Sequence, residues 1–507
     1  MKKIFLLLFF AFSLGACGSF DGINTNPDAP TRVTPDYLAA QLILQLTYSQ
    51  SRQYYGFTSD SWLMKTTSYE EEELYLYNKV DREDFSGYAN MTDAKKMDEL
   101  TDADTEMPEG KKDAYHGLAN FVRAWYLYGA TMPLGDVPCS DAIKGESEGL
   151  FTPKYDTQEE VFATIIKQLR QSSLFFAKAS TFSGDPAFNG DADKWLRTVN
   201  TFTLRVLNML SKKSTVGEYD VKSLFEQVAA EPLMRDENDN LQRVYSASKS
   251  DEWYPLYKEH YSYYNYSIMS SFLVDMMTDL KDNRLFYYAE PTPNAITQGL
   301  SASSFESYKG VSPVLEYGQI QAAYASGETS SLNKRYYLVP QGEPFQFISY
   351  SELQFIMSEA ALRGWKTTLS AKQYYENGVR AAMKFTAENT PDEYKHGANI
   401  NDDYINSYLQ GKAAFNEQKG LEQIMVQKLI GSFLQLKFNS FWDYRRTGYP
   451  NIPINPDTNL NDVKTQMPLR WMYPEKEYTN NSKNVENAVQ RQFGGKDTPN
   501  EVMWLLK

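Results

Sequence analysis

Residues 349–386 read SYSELQFIMSEAALRGWKTTLSAKQYYENGVRAAMKFT, and this stretch decides the fold class. A serine followed three residues later by Glu or Gln precedes each of two apolar runs, at Ser349 with Glu352 and at Ser370 with Gln373. In such a capping box the two side chains satisfy backbone N–H groups at the start of a helix. A glycine stands between the runs, where it commonly ends a helix. The stretch therefore predicts two consecutive helices joined by a short turn.

The apolar residues of these two helices recur every three or four positions, so each helix has one buried stripe. The stripes consist of Leu353, Ile356, Met357, Ala360 and Ala361 in the first helix and Ala371, Tyr374, Tyr375, Gly378 and Ala382 in the second. Ala371, Tyr375 and Gly378 match the second-helix spacing of a tetratricopeptide repeat, although most of that consensus is missing. We therefore expect a tetratricopeptide-like pair of helices.

Helical periodicity returns in several other parts of the chain. The further predicted helices lie at about 36–55, 113–130, 157–178, 192–213, 414–446 and 483–493. Long stretches without a clear period, rich in Gly, Pro, Asn, Asp, Ser and aromatic residues, lie at about 56–106, 131–156, 231–348 and 447–482. Loops of such length in a compact domain usually carry function. The sequence predicts one mainly α domain over 36–507, a tetratricopeptide-like helical-pair scaffold with long loop insertions and few short strands.

The N-terminus has the pattern of an exported protein. Lys2 and Lys3 precede an apolar run at 4–14. A bilayer span needs about twenty apolar residues, so this run is too short to cross a membrane but suits a secretory signal. We expect it to act as a signal peptide.

The signal ends in LGAC at 14–17, which resembles a bacterial lipobox. We expect residues 1–16 to be removed and Cys17 to carry the lipid, with residues 17–35 leading away from this anchor. Several acyl chains on one residue hold a protein stably on a membrane. The alternative is an ordinary signal peptide followed by a chance cysteine.

The chain is acidic and rich in aromatic residues. It has 51 basic and 65 acidic residues, a net charge of −14, and 8 Trp, 37 Tyr and 28 Phe among 507 residues. Nucleic acid is not expected as a partner, because a negative protein repels it. Cys17 would be acylated, which leaves Cys139 without a disulfide partner.

No catalytic or metal-binding pattern stands out. GESEG at 145–149 matches the form of a nucleophile elbow, but Lys144 precedes it where a hydrophobic strand is needed. The three histidines, none with metal-ligand spacing, are His116, His260 and His396. The stretch from Asp236 imitates the start of a calcium loop but lacks its glycine and glutamate, which leaves only a looser calcium site open. We expect no cofactor, no metal and no enzymatic activity.

Two aromatic clusters in the irregular stretches predict the ligand surface. Tyr and Trp rings pack on the C–H faces of sugars while their polar ends meet water or ligand. The predicted ligand-binding residues are Trp62, Tyr69 and Tyr75 in the first cluster, Trp253, Tyr254, Tyr257, Tyr261 and Tyr264 in the second, and Arg284 as a polar partner. The alternative is that these rings only pack the loops onto the helices. Trp62 and Trp253 offer the largest stacking faces and are the strongest single candidates.

Short sequence motifs, or phrases, follow one another along the chain after the signal peptide. They are INTNPD at 23–28, GDVPCSDA at 135–142, PKYDTQE at 153–159, GDADKW at 190–195 followed by Leu204 and Arg205, DNRL at 282–285, SEL to EA at 351–360, FWDYRRTG at 441–448, RWMYPEKE at 470–477 and GG at 494–495. In this order they resemble the SusD/RagB-type outer-membrane lipoproteins. Cys139 stands where that family usually has an aromatic residue, and Asn283 where it usually has proline.

The resemblance implies a scaffold of four tetratricopeptide-like helix pairs whose loops form the ligand surface. It also implies attachment to the cell outer membrane, facing the exterior, and a TonB-dependent β-barrel outer-membrane transporter as partner. In this role the protein captures nutrient oligosaccharide and acts as a lid on the transporter. Two alternatives stay open: the same role with peptide ligands, and a surface glycoside hydrolase.

Overall fold

The computed structural model describes residues 33–49, 54–69, 74–259, 267–436 and 438–507. Within these ranges the side chains of 48–49, 54–57 and 69 are not described. The predicted lipid site at Cys17 lies outside the described residues.

Helices dominate the described part of the chain, with twenty α-helices. They are α1 Pro35–Leu44, α2 Tyr54–Leu63, α3 Tyr88–Ala103, α4 Glu109–Leu134, α5 Gly145–Glu148, α6 Gln158–Phe176, α7 Ala192–Met209, α8 Val221–Val228, α9 Ser271–Leu280, α10 Arg284–Tyr288, α11 Pro293–Thr297, α12 Tyr317–Ala325, α13 Arg335–Leu338, α14 Tyr350–Leu362, α15 Ala371–Glu388, α16 Asp402–Gln410, α17 Gly420–Gly431, α18 Asn439–Thr447, α19 Glu475–Asn480 and α20 Ser482–Phe493. None of them is long and apolar enough to cross a membrane.

Strands are few and short. The six in the described residues are β1 Thr67–Tyr69, β2 Thr215–Val216, β3 Tyr219–Asp220, β4 Leu241–Arg243, β5 Ser267–Met269 and β6 Phe345–Ile348. They form three antiparallel two-stranded sheets, β1 with β5, β2 with β3 and β4 with β6.

The long helices pack on their neighbours in the chain. In the first half α3, α4, α6 and α7 contact one another in sequence order, and in the second half α14, α15, α17 and α18 do the same. Helix α7 packs against α14 and joins the two halves. The predicted mainly α, helical-pair scaffold is confirmed.

The caps that predicted α14 and α15 are present, but only one is a full capping box. Ser370 N–H donates to Gln373 Oε1 at 3.0 Å, and Gln373 N–H donates to Ser370 Oγ at 3.3 Å. At α14, Glu352 N–H donates to Ser349 Oγ at 3.2 Å. The Glu352 carboxylate does not return to this cap, because it accepts hydrogen bonds from Arg205 on α7.

Gly378 explains how closely α14 and α15 pack. A Cβ atom added there would lie 2.8 Å from the ring of Phe355 on α14. Phe355 is buried and cannot move aside easily. The glycine of the predicted repeat spacing is therefore a packing requirement.

The helix predicted over 414–446 is wrong as a single element, since it is two helices, α17 and α18. The break holds Leu434, Leu436 and Phe438 with φ of 56°, 50° and 60°. These left-handed backbone angles are incompatible with a continuing right-handed helix.

Parts of the stretches predicted as irregular are helical. Helix α3 lies inside 56–106, and α9 to α13 lie inside 231–348. In α3 the buried stripe is Met91, Ala94, Met97 and Thr101, which has helical spacing. The surrounding acidic and polar residues obscured that short stripe in the sequence.

Candidate functional site

One open cleft, the aromatic cleft, lies between the C-terminal half of α4, the segment 83–90 and the segment 436–442. Its volume of about 450 Å³ is within the usual range for small-molecule sites. The rings that line it are Phe85, Tyr88, Trp125, Tyr126, Tyr128, Phe347, Phe438, Trp442 and Trp471.

Helix α4 forms one wall of the cleft. Trp125, Tyr128 and Met132 recur at helical spacing and therefore share a face. Gly129 lies beside them, and a Cβ atom added there would meet no other atom within 4 Å. A larger side chain at position 129 would extend into open space at the cleft.

A second wall of the cleft is a group of packed rings. The centroids of Trp442 and Trp471 lie 5.5 Å apart at an interplanar angle of 70°, and those of Phe438 and Trp471 lie 5.3 Å apart at 65°. The Arg445 guanidinium lies 4.0 Å from the centroid of Trp442. These edge-to-face and cation–π contacts hold the rings in fixed orientations.

Tyr75, a predicted ligand residue, supports this wall. Its hydroxyl accepts a hydrogen bond of 3.1 Å from Trp471 Nε1, and its ring lies 6.3 Å from that of Trp471. Tyr75 is half-buried and does not line the cleft. Within this structure it positions Trp471.

The floor of the cleft is polar and rests on a buried ion pair. Arg205 Nε donates to Glu352 Oε1 at 2.8 Å, and Arg205 Nη2 donates to the carbonyl of Phe347 at 2.6 Å. Asn439 Nδ2 donates to the same Glu352 oxygen at 3.1 Å. Burial raises the pKa of Tyr128, which also lines the cleft, well above its ordinary value of 10, so its hydroxyl is neutral.

The mouth of the cleft is acidic. Glu83 and Asp84 both line it, and Asp84 is exposed. Arg82, the cation next to them in the chain, forms ion pairs of 2.9 Å with Glu475 and 3.1 Å with Asp497. Its charge is therefore partly committed to other carboxylates.

Three predicted ligand residues lie in the protein interior. Trp62 and Tyr254 are each 0% exposed, and Arg284 is also 0% exposed. Arg284 Nη2 donates to Asp282 Oδ2 at 2.5 Å and to Gln427 Oε1 at 2.7 Å, which accounts for its buried charge. The expectation that these side chains are open to ligand is wrong, because all three are enclosed in the protein interior.

Trp253 and Tyr257 form a half-buried pair. Their ring centroids lie 5.0 Å apart at 76°, and Trp253 Nε1 donates to the Ala247 carbonyl at 3.3 Å. A ligand role for them stays a prediction.

The predicted residues outside the described part of the chain are Tyr261 and Tyr264, together with the side chain of Tyr69.

Two of the cleft rings, Trp125 and Tyr126, lie in the helix predicted at 113–130. Neighbouring residues on a helix point about 100° apart, and an ordinary buried face is at least that wide, so the sequence alone does not distinguish these two rings from core residues. Both are half-buried and line the cleft.

Ser147, from the rejected nucleophile-elbow match, and His116 both contact neighbouring charged side chains. Ser147 lies in the four-residue helix α5, where its hydroxyl accepts a bond of 3.3 Å from Lys95. His116 lies between Asp98 and Asp102, 2.9 and 3.3 Å from their carboxylates, and the hydrogen bond with Asp98 raises its pKa. In the described part of the chain, no group of three or more His, Cys, Asp or Glu residues is arranged to hold a metal ion.

Most of the chain matches one known protein family. Residues 27–474 match the family described as starch-binding and associating with the outer membrane. The chain belongs to the SusD-like family. This is a family of outer-membrane-associated, nutrient-binding proteins.

Solved SusD-like structures match the fold over nearly the whole chain. A SusD homologue from Bacteroides fragilis is 38% identical with a TM-score of 0.88, and another from the same species is 32% identical with a TM-score of 0.82. An outer-membrane protein of Bacteroides vulgatus is 32% identical with a TM-score of 0.83. Each match covers 94% of this chain and 100% of the other. A comparison with curated proteins gave no match.

Proposed function

We propose that this protein is a lipid-anchored lipoprotein of the outer-membrane surface that captures oligosaccharide in the aromatic cleft. It delivers the sugar to a TonB-dependent outer-membrane transporter and acts as the lid of that transporter. The single observation that carries the ligand assignment is the cleft itself, whose nine aromatic rings stand over a polar floor. Aromatic faces with a few fixed polar groups are the composition of a small-molecule site and suit sugar rings.

We propose binding without turnover. Among the described residues that line the cleft, the carboxylates are Glu83 and Asp84. They are consecutive in the chain and lie at the same edge of the cleft. Glycoside hydrolysis needs two carboxyl groups that flank the bond from opposite sides, about 5–9 Å apart. This arrangement supports a capture role over a hydrolase.

The cleft can be tested through Gly129, because the structure leaves space there. Gly129→Trp should fill the cleft and reduce binding of a neutral oligosaccharide by more than about tenfold in calorimetry. Gly129→Ala should bind normally. Gly318→Trp is the matched control, since Gly318 is an exposed helical glycine on α12 with the same empty surroundings.

The probes are maltohexaose, cellohexaose and a mixed hexapeptide library, each titrated into the wild-type protein. Binding of an oligosaccharide that Gly129→Trp abolishes supports the proposal. Binding of peptides alone would overturn the sugar assignment in favour of a peptide carrier. Release of shorter sugars by a clean preparation would overturn the capture role.

A further inference from the structure

Three polar atoms at the floor of the aromatic cleft lack a hydrogen-bond partner. Within the described residues, Arg205 uses Nε and Nη2 but makes no hydrogen bond through Nη1. Asn439 likewise uses its amide nitrogen, and no described group donates to its side-chain oxygen. The Tyr128 hydroxyl is buried, and it too has no partner among the described residues.

These three side chains are fixed and deeply buried. Their exposed fractions are 4% for Arg205, 7% for Tyr128 and 7% for Asn439, and all three line the cleft. Of the three atoms, the Tyr128 hydroxyl is closed to solvent, and a buried polar group without a partner usually has a ligand or water as partner. Arg205 Nη1 can donate a hydrogen bond, Asn439 Oδ1 can accept one, and the neutral Tyr128 hydroxyl can do both. The hydroxyl groups of a sugar ring also donate and accept, so they can pair with all three.

The electrostatics of the site favour an uncharged ligand. Glu352 pairs with the Arg205 guanidinium, so the floor carries no net charge from this pair. At the mouth, Asp84 is exposed and forms no ion pair with any described residue. A carboxylate on the ligand would be repelled by Asp84 at the entrance. At the floor it would find the Arg205 charge already neutralised by Glu352.

We propose that this polar floor selects a neutral sugar ring, with Arg205 Nη1, Asn439 Oδ1 and the Tyr128 hydroxyl as its hydrogen-bonding partners, and that acidic glycans are excluded. This inference rests on the proposed function and specifies the ligand class of the same cleft. Arg205, Tyr128 and Asn439 are the specificity-determining residues that touch the ligand. Asp84 acts at the entrance through its charge.

The decisive variant is Tyr128→Phe, which removes only the hydroxyl. No described group loses a hydrogen bond and a buried hydroxyl without a partner is removed, so the thermal midpoint should stay the same or rise. Binding of maltohexaose or cellohexaose, whichever the wild type binds, should weaken about fivefold, as expected for one lost hydrogen bond. Tyr444→Phe is the control, since Tyr444 lies on α18 and does not line the cleft.

A second arm compares the neutral hexasaccharide with hexagalacturonate at low and high salt. The wild type should bind the acidic chain at least tenfold more weakly, and Asp84→Asn should narrow that difference about twofold to fivefold at low salt. Equal binding of the two chains would overturn the selection for neutral sugars.

The outcomes separate the inference from the proposed function. If Gly129→Trp blocks binding but Tyr128→Phe binds like wild type, the polar floor does not select the ligand. The inference then fails while the proposed function stands. If both variants bind like wild type, the ligand binds elsewhere, so the assignment of the cleft and the inference both fail while the capture role stands. If the wild type binds none of the oligosaccharides, the proposed function fails and the inference with it.

Discussion

Arg446 on α18 and Glu359 on α14 are joined inside the protein, where Arg446 Nη2 donates to Glu359 Oε2 at 2.7 Å. Their side chains are 2% and 1% exposed. Glu359 also accepts bonds of 2.7 Å from Arg363 Nη2 and 3.1 Å from Asn208 Nδ2 on α7. This carboxylate therefore connects three helices of the scaffold. It also links two phrases of the sequence, SEL to EA and FWDYRRTG, that lie far apart in the chain.

The Glu359 carboxylate should make stability depend on pH. Burial alone would raise its pKa, but the guanidinium groups of Arg446 and Arg363 lower it to about 2, below the ordinary value of 4.5. A carboxylate with a lowered pKa in the folded state contributes stability above about pH 4.5 and loses it as the pH falls towards 2. Glu359→Gln should therefore cost about 3 kcal/mol at neutral pH, and the cost should shrink below pH 4.5.

Urea denaturation at a series of pH values measures this difference between wild type and variant. Other carboxylates titrate in both proteins, so their effects cancel in the difference. Glu99→Gln is the control, because Glu99 pairs with Lys96 on the surface and such pairs contribute about 0–1 kcal/mol. A cost for Glu359→Gln that is the same at pH 7 and pH 3 would contradict the prediction.

Two helical glycines should respond in opposite ways to the same substitution. Gly129→Ala should stabilise the protein by about 0.5–1 kcal/mol, because alanine favours helix and the added methyl group meets open space. Gly378→Ala should destabilise it, because the methyl group would lie 2.8 Å from the buried Phe355 ring. Thermal unfolding of the two variants measures the contrast. Equal shifts in the two variants would mean that α14 and α15 are not packed this closely.

The two tryptophans singled out in the sequence should behave differently. Trp62 is fully buried, so Trp62→Ala should lower the free energy of unfolding by about 3–5 kcal/mol. Trp253 is half-buried, so Trp253→Ala should leave most of the stability intact and test whether this ring contributes to sugar binding. Denaturation and calorimetry on both variants separate the roles. A stable Trp62→Ala protein with reduced sugar affinity would reverse the assignment.

The helices could be predicted from the sequence where a local pattern determines them. The cleft could not be predicted in this way. Capping serines and the glycine at 378 are visible in a single stretch, because helix starts and close helix contacts depend on neighbours in sequence. The cleft instead joins Trp125 to Trp442 and Trp471, which are hundreds of residues away from it. Trp62 and Trp253 both lie in aromatic-rich stretches of the sequence. Only tertiary packing makes Trp62 a core residue and leaves Trp253 half-buried at the surface.

The lipid anchor can be tested with the two cysteines of the chain as each other's control. If the thiol of Cys17 carries the diacylglycerol, Cys17→Ser should abolish labelling by a fatty-acid probe. Cys139→Ser should keep the label, because Cys139 is half-buried and burial raises the pKa of its thiol to about 11, which makes it unreactive. Membrane extracts of the Cys139→Ser strain should also retain a large β-barrel partner, since a lid interface should bury well above about 1,000 Å². Label on the Cys17→Ser protein would contradict the anchor, and a labelled protein that always purifies alone would contradict the transporter partnership.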